Sequence, residues 1–292
     1  MYFKAPLKKI LILSVLELVV GNELSINACE ESSNPSRIVV AGGSITEILY
    51  FLNEESRILG VDVTSNFPKN ATKLPSIGYV RNLSAEGILS LNPTLVLGEN
   101  DMGPPMVLNQ LKEVDTDLRI IPEERTVEGI INKILCIASI IDNEAKAKKN
   151  IDLSLKKTIM ELQLLKNNPE IQNKKIMLIL SMQGTSPIVA GKGTSGDGFI
   201  KIVGAQNVFQ SFEGWKPVSV EAIIKINPDY FIIPSREIHK NSDIQSLTTN
   251  PIFSNTEAGA KKNFIFEDSM AMLGFGPRTI ITALKVAKQL SQ

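Results

Sequence analysis

Two passages of this sequence lie over each other without a gap. SAEGILSLNPTLVL begins at Ser84 and SVEAIIKINPDYFI begins at Ser219; Ser, Glu, Ile, Asn and Pro coincide at five of 14 positions. In each passage a serine precedes a short helical stretch with an acid in its first turn, the arrangement that N-capping and the helix dipole favour. An Asn-Pro pair then stops the helix, and an apolar run follows. Any α/β unit carries a capped helix and a stop. Five identities in one order and one structural context favour duplication, which constrains the chain to two similar halves.

The flanking sequence extends each half. Residues 37–41 (RIVVA) predict a strand, Gly42-Gly43-Ser44 a turn, and Ile45, Ile48, Leu49 and Leu52 recur at helical spacing. Further strands are predicted at 58–61 and 94–97. In the second half, 175–180 (KIMLIL) and 230–233 predict strands, and helices are predicted to open at Gly196 and Ser219. Alternating strands and helices argue for parallel α/β sheets. Between the halves, Ile130, Ile131, Ile134, Ile137, Ile141, Ile151, Leu155, Ile159 and Leu162 keep helical spacing, with Asp142-Asn143 as a break or cap. The predicted fold is therefore α/β, with two Rossmann-like lobes, 36–125 and 173–292, joined by a long rigid α-helix over 126–172. Such an arrangement leaves a cleft between the lobes, a preferred place for a ligand.

The inventory of residues narrows the chemistry. Lys plus Arg (31) and Asp plus Glu (31) cancel, so no general electrostatic footprint for nucleic acid exists. Two cysteines, Cys29 and Cys136, and one histidine, His239, cannot build a multi-Cys or multi-His zinc site. Any Ser-His-Asp mechanism would have to use His239.

The N-terminus reads as a targeting segment. Lys4, Lys8 and Lys9 precede an apolar run at 10–20 (ILILSVLELVV) that only Glu17 interrupts with a charge. A bilayer span takes roughly 20 residues, so this run fits the apolar part of a signal peptide. Ala28 suits cleavage before Cys29, which makes 1–28 the signal peptide. A new N-terminal Cys29 followed by polar residues 30–33 also fits a bacterial lipoprotein, although Asn27 is larger than the usual residue there. The expected destination is the periplasm, or the outer face of a membrane through a lipid on Cys29. Cys136 then stands alone in the apolar stretch 130–141, as a buried thiol.

Three further features bear on ligands. Residues 191–196 (GKGTSG) match GxGxxG, but no strand directly precedes them and no strand-end acid follows about 20 residues on, so the dinucleotide reading is weak. The alternative is a turn that opens a helix, with the helix N-terminus lining the cleft. Tyr79, in Gly78-Tyr79-Val80-Arg81, has a cation two residues on. A nearby cation favours the charged form of a phenol, and phenolate is a competent Fe(III) ligand. Glu86 and Glu221 occupy the same register of the duplicated passages. Each complements a helix dipole, and together they offer one acid per lobe to a two-fold partner.

On these residues the sequence resembles the periplasmic haem-binding proteins of bacterial ABC importers, within the larger group that binds vitamin B12 and ferric siderophores. The stretch GYVRNLSAEGILSLNPTLVL carries the resemblance to the haem binders. The opening IVVAGGSITEILYFL, PIVAGKGTSGDGFIKIVGAQNVF and the late MLGFGPRT extend it over nearly all of residues 37–291. The resemblance implies haem as the transported ligand, Tyr79 as axial ligand of its iron, and Arg81 as support for the phenolate or a propionate. His239 matches no motif of the family, which implies five-coordinate haem or a weak sixth contact from the second lobe. Met270 and Met272 are candidate apolar lids, with core packing as the competing role. Glu86 and Glu221 are implied to dock the protein, as a monomer, on a dimeric permease in the inner membrane. The competing expectations are a siderophore or cobalamin binder in which Tyr79 stacks on the ligand, and, more remotely, a nucleotide-binding enzyme using 191–196.

Overall fold

The apolar strands segregate into two sheets. A computed structural model describes residues 27–183, 186–235, 247 and 249–292. The proposed signal segment up to residue 26 and His239 lie outside the described residues. In the N-terminal lobe four parallel strands run in the order Ile58–Val61, Ile38–Ala41, Leu95–Gly98, Leu118–Ile120. The two central strands are buried along their whole length, which is why they read as unbroken apolar runs and not as alternating ones. After Ala41 the chain turns at Gly42 (φ +150°) into the helix Gly43–Phe51. A Cβ at Gly42 would stand 2.5 Å from the side chain of Glu99, the residue that follows the neighbouring strand. Backbone and carboxylate thus meet at the carboxyl ends of the strands, where open α/β sheets place their ligands.

The C-terminal lobe departs from the expected all-parallel plan. Its central strand, Lys175–Gln183, pairs in parallel with Tyr230–Ser235, and beyond it lies Phe264–Asp268. On the other edge its second half pairs with the antiparallel strand Ser186–Ala190, which pairs in turn with the antiparallel Trp215–Pro217. The predicted strand at 175–180 therefore continues to Gln183 and folds back before the helix Ser195–Val203 begins. Residues 180–182 are exposed, so burial did not mark the extension.

The duplicated passages fold alike, and the coincident residues show why. Ser84 Oγ accepts the Gly87 N–H and Ser219 Oγ accepts the Ala222 N–H, each at 3.3 Å, opening the helices Ala85–Leu89 and Val220–Ile226. Ile88 and Ile223 are wholly buried. Asn92 (φ +56°) and Asn227 (φ +47°) both take the left-handed conformation that ends the helix, one of the few non-glycine residue types that do so readily.

The connector is not one continuous helix, and its main break falls at Asp142-Asn143, where the sequence placed a break or cap. It comprises Val127–Ile140, Glu144–Ser154 and Lys156–Lys166, followed by the short Pro169–Gln172. Asp142 in the left-handed region (φ +54°) breaks the first joint, whereas the second is a kink at Leu155 (φ −113°), through which the helical hydrogen bonds Leu155 N–H to Ile151 and Ile159 N–H to Leu155 continue. The connector is nevertheless held by both lobes. Asn143 and Lys146 donate to Glu54, Asn150 donates to the Phe51 carbonyl, and Lys288 of the last helix, Pro277–Leu290, pairs with Glu161 at 2.7 Å. One apolar cluster runs from Ile38 and Val40 through Ile134 and Ile137 to Leu178, Phe275 and Ile280. Shared core, in place of one continuous helix, fixes the lobes against each other.

Cys29 and Cys136 form a disulfide that ties the start of the described chain to the helix Val127–Ile140. This corrects two expectations. The sulfur of Cys29 is bonded to Cys136 and is not free to carry a lipid, and Cys136 is not a solitary thiol.

Candidate functional site

A cleft of about 500 Å³ opens between the lobes. Its N-terminal wall starts with a tight hairpin, Gly78–Tyr79 paired antiparallel with Asn82–Leu83. Gly78 takes φ +98°, and Val80 is buried at the turn. Backbone hydrogen bonds of 2.9 Å from Gly103 to Val80 and from Leu83 to Gly103 pin the turn from behind. Anchored there, the hairpin leaves Tyr79 and Arg81 outside, and Tyr79 is 43% exposed. Both line the cleft. Among the described residues no hydrogen bond engages the Tyr79 hydroxyl. The Arg81 guanidinium carbon lies 6.0 Å from the Tyr79 ring centre. Its own ionic partner is Asp101, reached at 2.7 Å, and that hydrogen bond raises the Arg81 pKa further.

The rest of this wall is charged and built from beneath. Lys133, on the connector helix, is almost wholly buried. Its ammonium donates to Ser44 Oγ at 2.6 Å and to Glu123 Oε2 at 3.2 Å, and lies 3.7 Å from Glu99 Oε1. Ser44 donates in turn to Glu99 at 2.5 Å. Burial pushes the Glu99 carboxyl up, against the pull of Lys133 and Ser44. A buried charge persists only when paired and hydrogen-bonded, and this cluster supplies both conditions. The sequence contained a signal for it: Lys133 falls on the face of the helix defined by Ile130, Ile134 and Ile137.

The C-terminal wall is mainly apolar. Leu180, Trp215, Met270 and Leu273 line it, with Ser195 beside them. The two candidate lid methionines separate. Met270 reaches the cleft, whereas Met272 is fully buried core. Arg125, which no local motif marked, lines the cleft from the end of the N-terminal lobe and donates to the Gly193 carbonyl across the seam at 2.5 Å.

Helix N-termini approach the cleft from both lobes, and carboxylates of the chain itself already serve them. At the helix Gly43–Phe51, Asp62 accepts the Gly42 N–H and Glu99 the Ser44 N–H. At the helix Ser195–Val203, Thr194 caps while Asp197 accepts the Gly193 N–H. Burial alone would raise the Asp197 pKa. Hydrogen bonds from Lys201, Asn207, the Gly193 amide and Gln210 outweigh it and bring the group to about 2. Within the GKGTSG loop the Gly193 N–H is therefore already taken by an internal anion, and the strand Ser186–Ala190 directly precedes the loop, where the sequence led us to expect none.

Glu86 and Glu221 lie outside the cleft lining, exposed in the first turns of their helices. A hydrogen bond with its own backbone, then one with Ser219, lowers the Glu221 pKa.

Two α/β lobes around a cleft, held by a helical connector, match the periplasmic binding protein family over residues 38–271. The chain belongs to that family. Among solved structures, the periplasmic heme-binding protein HutB of Vibrio cholerae is 33% identical, with a TM-score of 0.77 over 89% of this chain and 100% of that one. Among curated relatives, the vitamin B12-binding protein of Pectobacterium atrosepticum is 22% identical over 263 residues, covering 88% of this periplasmic binding protein and 89% of the relative. YvrC of Bacillus subtilis, an ABC transporter substrate-binding lipoprotein, is 26% identical over 200 residues, which span 68% of this chain but only 63% of YvrC. The Cys29–Cys136 disulfide of the present chain uses the sulfur that a lipid anchor at Cys29 would need.

Proposed function

We propose that this periplasmic binding protein captures ferric haem in the interlobe cleft and delivers it, as a monomer outside the cytoplasm, to a dimeric ABC permease. The observation that carries the reading is the Tyr79 hydroxyl, unengaged by the described residues, at the edge of a cleft with a charged wall and an apolar wall. Haem is a flat apolar disc with a hard metal centre and two carboxylates. Trp215, Leu180 and Met270 suit the disc. Tyr79 suits the iron as a phenolate ligand, and Arg81 and Arg125 suit the carboxylates. Capture and release require no bond-making at carbon, and no residue is assigned a catalytic part. A disulfide supports an oxidising compartment. Among the described residues no helix is long and apolar enough to cross a membrane.

Trp215 is the only tryptophan in the sequence and lines the cleft, so it reports occupancy directly. Titration with haemin is expected to quench its fluorescence saturably and to produce a phenolate-to-iron charge-transfer band in the visible spectrum. Quenching without that band would reject Tyr79 as ligand, and no saturable change would reject haem. The vitamin B12-binding relative favours a second reading, cobalamin in the same cleft with Tyr79 stacking on it. Thermal stabilisation by cyanocobalamin and not by haemin would establish that reading instead.

A further inference from the structure

The two arginines that line the cleft are committed to different degrees. Arg81 places both Nε and Nη2 2.7 Å from one oxygen of Asp101. Arg125 faces its carboxylate, Glu123 Oε1, from 3.4 Å. The other oxygen of Glu123 is taken by buried Lys133 at 3.2 Å. Two cations thus share the charge of Glu123, and Arg125 is the one left with unsatisfied positive potential in the cleft. Its stem is held in place: a Cβ built at Gly198 would stand 2.7 Å from Arg125 Cβ, and one guanidinium nitrogen is fixed on the Gly193 carbonyl. The remaining donors are 43% exposed with the side chain. A planar donor fork held on a short tether is suited to a carboxylate.

We infer that Arg125 is the specificity-determining residue of the cleft, binding one carboxylate of the ligand and discriminating acidic porphyrins from their esters. The inference rests on the haem reading above. It also explains why Gly198 is glycine: any side chain there would displace the arginine stem.

The test compares haemin with haemin dimethyl ester on the wild type, Arg125→Gln and Arg125→Lys, with circular dichroism to verify folding. The wild type is expected to prefer haemin by about tenfold, the scale of one charge-assisted hydrogen bond. Arg125→Gln should lose about that factor for haemin and almost nothing for the diester, and Arg125→Lys should recover part of it. Equal weakening toward both ligands would overturn the inference, because it would mean that Arg125 only ties the lobes through Gly193. Unchanged haemin affinity in Arg125→Gln would overturn it as well. A wild type that binds neither porphyrin would overturn the haem reading itself, an outcome distinct from the other two.

Discussion

The two lobes bring the same scaffold to the cleft and different chemistry. In each, a short loop enters a Ser-capped helix that ends at a left-handed asparagine and feeds a central strand. Tyr79 lies five residues before Ser84, and Trp215 lies four residues before Ser219. In the first lobe the loop is a tight hairpin that exposes a phenol and a guanidinium. In the second it is an antiparallel edge strand that contributes an indole. Duplication preserved what the backbone needs, and the approaches to it diverged. A ligand with one hard, charged aspect and one broad apolar aspect suits such a pair of walls.

The largest test of that asymmetry is Tyr79→Phe. It removes one oxygen and keeps the ring, so the hairpin should stand. Outer-shell partners of metal ligands are worth about 10–100-fold, so on the haem reading loss of the proposed ligand should cost at least about 100-fold in haemin affinity. The charge-transfer band should vanish. Retention of the band would break the comparison at its polar side.

Trp215→Ala tests the other wall. It removes an aromatic face worth about tenfold in affinity and leaves Tyr79, the proposed iron ligand, in place. Spectroscopic titration should show weaker binding with an unaltered charge-transfer band. A changed band would mean that the second lobe takes part in iron ligation, and the division of labour would fail.

The helix N-termini offer a smaller contrast, in stability. Asp197 is almost fully buried, and a pKa held at about 2 against an ordinary 3.8 corresponds to roughly 2 kcal/mol of folding free energy. A depressed carboxylate contributes this fully above its unfolded pKa, and the contribution is lost as pH falls from about 4 to about 2. The melting temperature of the wild type should therefore fall across that window. Asp197→Asn should be less stable at pH 7 by roughly 2 kcal/mol and show a flatter profile below pH 4. A parallel acid profile in the variant would show that the group does not titrate as its surroundings dictate.

What could be read in advance followed from how local the determinants are. The Ser caps, the buried Ile88 and Ile223 and the Asn-Pro stops act within one turn of chain, and the duplication exposed them. Tyr79 and Arg81 sit on a hairpin whose motif is contiguous, so they could be singled out before the fold was known. The disulfide could not: Cys29 and Cys136 are 107 residues apart, and the targeting pattern around Cys29 gave it another use. The antiparallel return at Ser186–Ala190 was missed because the expectation of a parallel repeat left no place for it. Arg125 has no neighbouring motif and acquires its setting from Glu123, Lys133 and Gly193, which come from the sheet edge, the connector and the opposite lobe.

The smallest expected effect on ligand binding is at the residues where the lobes are most alike. Glu86 and Glu221 are the one coincident pair that carries a charge. Both are exposed in the first turn of their helices, both precede the same stop, and neither lines the cleft. On the proposal that equivalent register puts them on equivalent faces of the two lobes, a two-fold permease would meet one on each. Rim charges of this kind govern association rate and orientation more than the fold behind them. On that proposal the double substitution Glu86→Lys with Glu221→Lys should leave haemin affinity within about twofold and abolish haem uptake by cells, because it would turn two attractive contacts repulsive. Each single substitution should give an intermediate uptake rate. Their dipole role predicts only a slightly lower melting temperature, by the effect of about 0.3–1 kcal/mol per exposed first-turn acid. If the double variant lost haemin binding while remaining folded, these acids would belong to the cleft and the docking assignment would be withdrawn. If uptake survived charge reversal at both positions, the two-fold match would be reduced to helix-dipole chemistry repeated by duplication.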